Sequence, residues 1–98
     1  MSQQPPGSTI VERVQTGVRL EKQMLKVLKA LADSLDLTLS DLLEGIVLHA
    51  FEGKAPFSKG TLAKVAELRR VFGLTLTASN AHHLKEKPTR ARAARSVR

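Results

Sequence analysis

The chain has 98 residues, a formal charge of +7, no cysteine and three aromatic side chains, all phenylalanine. That length leaves room for one small domain whose core is hard to complete alone, and the missing thiols exclude a disulfide framework, a thiolate metal site and a thiol nucleophile. The charge is lopsided: after Leu84 the cations Lys85, Lys87, Arg90, Arg92, Arg95 and Arg98 face one acid, Glu86, so +5 of the total lies there and +2 elsewhere.

A basic tail of this kind points to a polyanion, most simply nucleic acid held non-specifically, with a merely solubilising terminus as the competing reading. Residues 1–11 combine serine, glutamine, two prolines and Gly7, which cannot bury enough apolar surface to offset ordering, and read as a disordered N-terminal arm. The start of the chain has no positive region followed by an apolar run, and no stretch approaches spanning length. The expectation is a cytoplasmic protein, nucleoid-associated in a bacterium, with no membrane partner.

From Arg13 the order Arg-Val-Gln-Thr-Gly-Val-Arg-Leu places Val14, Thr16, Val18 and Leu20 on one side of an extended chain and Arg13, Gln15, Gly17 and Arg19 on the other. A single strand has no ladder, so this alternation predicts that two chains pair their strands into an antiparallel ribbon and bury its apolar side on shared helices. From Glu21 to Leu35, the apolar residues Met24, Val27, Leu28, Leu31, Ala32 and Leu35 recur at helical spacing, opposite Lys22, Lys26 and Lys29. Glu21 is expected in the first turn, where its charge complements the helix dipole.

Asp36 tolerates the left-handed conformation that ends many helices, and Thr38 or Ser40 can cap the next. Leu39, Leu42, Leu43, Ile46, Val47, Ala50 and Phe51 then repeat the helical spacing up to a stop at Gly53. Gly45 inside that helix costs about 1 kcal/mol relative to alanine, and reads as a close-packing position facing a second copy. Ser58 can cap a third helix with the stripe Leu62, Val65, Leu68, Val71 and Phe72, ending at Gly73. Leu74 to Thr77 reads as an extended link, and Thr77 as the cap of a last short helix through Leu84.

The run at 14–20, the stripe to Leu35 and the Thr38-Leu39-Ser40 opening of the second helix resemble the ribbon-helix-helix family of Arc-, MetJ- and CopG-like repressors, over about Glu12 to Gly53. The resemblance implies a mostly α fold: one short strand and two helices per chain in an intertwined homodimer. Here a C-terminal helical extension (54–84) and a disordered basic tail (85–98) would follow. It further implies a transcriptional repressor that inserts the ribbon into the DNA major groove, with Gln15, Gly17 and Arg19 at the base-reading places. Arginine forks onto guanine and glutamine onto adenine, whereas Gly17 has no side chain to read with. Arg13, at the strand's edge, is assigned to phosphate, as are Thr38, Leu39 and Ser40 at the start of the second helix. Glu21 and Asp36 stand where many relatives have proline and glycine. Dimers on tandem sites would extend the homodimer to higher assemblies.

His82 and His83 are adjacent and point about 100° apart on a helix, and His49 is distant, so no metal, cofactor or enzymatic activity is expected. An alternative reading makes residues 57–84 a docking module for a partner protein, as in an antitoxin, or makes the chain a DNA-organising or partition protein. A basic tail ranks the stand-alone regulator first.

Overall fold

The computed structural model describes residues 8–87. The first seven residues of the expected arm, and Arg90, Arg92, Arg95 and Arg98 of the tail, lie outside that range. Three α-helices carry the fold: α1 (Lys22–Ser34), α2 (Leu39–Phe51) and α3 (Lys59–Phe72), followed by a 3₁₀ turn at Ala78–Asn80.

Local chemistry sets every helix boundary. Glu21 stands one position before α1 as its N-cap, its carboxylate accepting from the backbone N–H groups of Gln23 and Met24. Thr38 caps α2 by accepting from the Asp41 N–H at 3.0 Å, and Ser58 caps α3 through the Thr61 N–H. Each cap satisfies donors that the first helical turn leaves without a partner.

The three C-termini share one device. Asp36, Gly53 and Gly73 each adopt a left-handed backbone, with φ of 60°, 69° and 68°. The following residue in each case donates its N–H back into the helix: Leu37 to Ala32, Lys54 to His49 and Leu74 to Arg69. This is the Schellman closure, in which glycine meets the left-handed angle without strain and aspartate tolerates it.

Helix α1 is the hub and packs on both α2 and α3. Leu31, Ala32 and Leu42 form the buried cluster, with Leu28, Ile46, Phe57, Val65 and Leu68 against it. Val27 is buried as well. The α1 stripe from Met24 to Ala32 is therefore turned inward as the spacing predicts, whereas Leu35 at its end is exposed, as are Lys22, Lys26 and Lys29.

The N-terminal part of the expected fold requires correction. Among the described residues there is no β-strand, and three helices in place of a strand and two helices do not fit a ribbon-helix-helix chain. The period-2 pattern at 14–20 fixes which side each residue takes in an extended chain, but a strand also needs a neighbouring backbone, and residues 8–20 make no ladder here. The apolar side is not buried either: Val14 is 82% exposed and Val18 72%.

One further expectation changes. The helix foreseen from Thr77 to Leu84 is a single 3₁₀ turn, because Ala81 turns extended (φ −58°, ψ 137°) and His82 adopts φ 69°. At Gly45 nothing from outside its own stretch of helix lies within 4 Å of where a Cβ would stand, so the position is open on the side left for a second copy.

Candidate nucleic-acid interface

The polar side chains of the N-terminal segment occupy defined places. Arg13 reaches across to α2 and grips it with a two-pronged fork: Nε donates to Glu44 Oε2 at 2.8 Å and Nη2 to Glu44 Oε1 at 2.7 Å. Nη2 also donates to Asp41 Oδ1 at 3.3 Å. Hydrogen bonds from the guanidinium, then its charge, hold the Glu44 carboxyl below the usual carboxylate range. The same bonds, Glu44 first, keep Arg13 protonated even more firmly than usual.

Arg19 pairs with Glu86 from the far end of the described chain. Gln15 and Gly17 are exposed, and the space around Gly17 is open to 4 Å. Thr38 serves as a cap, while Leu39 is half-buried and Ser40 exposed at the start of α2. Lys85 and Lys87 are exposed.

The structure thus brings Arg13 together with the first turns of α2, and Arg19 together with the start of the basic tail. It reveals two acids, Asp41 and Glu44, and a third, Glu86, that already engage the candidate cations. Sequence reasoning missed them as partners because the pairs lie 28, 31 and 67 residues apart, beyond any helical spacing rule.

Apolar exposure falls unevenly. Val47, Leu48 and Phe51 on α2 sit within an arc of about 100° at 100° per residue, and Phe51 is 81% exposed. They form one stripe that shares its side of the helix with Glu44, where the N-terminal segment docks. On α3 the exposed Leu62 and Val71 are nine residues apart, half a turn around the helix, and form no single stripe.

No group of three or more histidine or acidic residues close enough to hold a metal ion occurs among the described residues. No helix there is long and apolar enough to cross a membrane. Comparison with family models, with curated proteins and with solved structures finds no match to this chain.

Proposed function

We propose that the chain is a homodimeric double-stranded DNA-binding protein, a transcriptional repressor working in the cytoplasm on the bacterial nucleoid. The observation that carries this reading is the docking of the cation-bearing N-terminal segment beside the first turns of α2 through Arg13. Gln15 and Arg19 thereby lie on an element tied to a helix start. Such a pairing suits DNA, because side chains specify at base edges while helix N-termini and their amides hold phosphates and set register.

In this reading Arg19 forks onto guanine and Gln15 onto adenine, each supplying about 1–3 kcal/mol of discrimination. Thr38, Leu39 and Ser40 present backbone and hydroxyl groups to phosphate. Lys85, Lys87 and the arginines beyond them add affinity without sequence preference.

Dimerisation is supported by what one copy leaves uncovered: the Val47, Leu48 and Phe51 stripe on the same side of α2 as the docked segment, with Ile10, Val14 and Val18 along that segment. An exposed apolar stripe on a helix, such as the one on α2, is the kind of surface that marks an interaction site. Sedimentation of the full chain with and without a 20-base-pair duplex tests the reading. A free dimer that binds duplex as two chains per site is expected; a monomer at micromolar concentration with no duplex-dependent shift refutes it.

A further inference from the structure

We propose that Arg13 is a positioning residue: it clips the N-terminal segment to α2 and offsets part of the acidic charge beside the proposed phosphate site, and does not itself hold a phosphate. The inference rests on the DNA-binding reading above but stands on separate geometry. Arg13 spends both donors of one guanidinium edge on Glu44 and adds Asp41 to the same Nη2. With two carboxylates on one guanidinium the cluster carries a net negative charge, which makes it a poor ligand for another anion.

Position gives the clip its purpose. Asp41 and Glu44 follow the Thr38 cap on the first two turns of α2. Bare carboxylates there would oppose a phosphate well within the screening distance of about 8 Å at physiological salt. A bidentate guanidinium offsets one of those two charges and so reduces that repulsion, and in the same contact it anchors the segment that carries Gln15 and Arg19. Lysine, as a single point charge, does not reproduce the fork.

The test measures duplex affinity of the full chain against salt for wild type, Arg13→Gln and the charge swap Arg13→Glu with Glu44→Arg, alongside the rate of trypsin cleavage after Arg19. The clip predicts that Arg13→Gln loses roughly fivefold in affinity with an unchanged salt slope, cleaves faster after Arg19, and that the swap restores both. A phosphate contact predicts a slope shallower by about 0.9 and no rescue, because glutamate at position 13 would repel DNA; that result overturns the proposal. If wild type binds no duplex, the DNA-binding reading falls by itself. The cleavage rates then decide the clip: faster in Arg13→Gln and restored by the swap supports it, and equal rates in all three overturn it.

Discussion

Arg19, on the N-terminal segment, is ion-paired with Glu86, 67 residues further along the chain. The guanidinium proposed to read guanine is therefore already engaged by a carboxylate at the root of the basic tail. DNA must displace that carboxylate to use Arg19. Both side chains are substantially exposed, 68% and 44%, and an exposed pair contributes only ~0–1 kcal/mol, so the exchange is easy. Glu86→Gln is expected to tighten duplex binding by roughly two- to fivefold in a fluorescence anisotropy titration. Arg19→Ala in the same assay should lower the preference for specific over random duplex by about 1–3 kcal/mol; equal losses on both duplexes would remove Arg19 from base reading.

The start of α2 separates capping from phosphate binding with two substitutions. Thr38→Ala deletes the oxygen that accepts from the Asp41 N–H, and should cost about 0.5–2 kcal/mol in denaturant unfolding. Thr38→Asp caps at least as well as threonine but places a negative charge against the phosphate. It should keep wild-type stability and weaken duplex binding. If Thr38→Asp binds duplex as tightly as wild type, the α2 N-terminus does not face the DNA backbone.

How much of this was legible beforehand depends on how local the cause is. Ser58, Thr38, Gly53, Gly73 and Asp36 act within one turn of chain, and all five take the boundary roles their side chains or backbone freedom suggest. The stripe Val27, Leu31 and Ala32 is likewise inward. What was not legible needs a distant partner. The alternation at 14–20 has no ladder in the chain, and the Arg13 and Arg19 pairs depend on how the segment returns to α2 and to Glu86. Spacing along one segment carries no information about either.

Leu31 is the most deeply buried side chain of the described chain, 1% exposed, where α1 meets both neighbours. Leu31→Ala should destabilise by about 2–5 kcal/mol, the transfer of the lost methyl groups plus the cavity they leave. Chemical denaturation read by helical circular dichroism measures it; a loss under 1 kcal/mol would mean that α1 is not the hub.

The Arg13–Glu44 pair also has a pH signature. Because Arg13 depresses the Glu44 carboxyl in the folded chain, the contribution is fully present above the ordinary value of 4.5 and is lost as pH falls through the lower folded value. Carbon-13 NMR of the Glu44 carboxyl should show a midpoint below 4.5 in wild type, moving up toward it in Arg13→Gln. An identical midpoint in both would mean that the pair does not persist in solution.

The most direct measurement of the central claim is enrichment of random duplexes by the purified full-length protein, followed by sequencing of what is retained. A homodimer that reads bases through Gln15 and Arg19 on each chain predicts a recovered motif with two-fold symmetry, its half-sites containing guanine and adenine steps. A pool that stays random, with retention governed only by salt, would contradict sequence-specific binding and leave the basic tail as the sole source of DNA affinity.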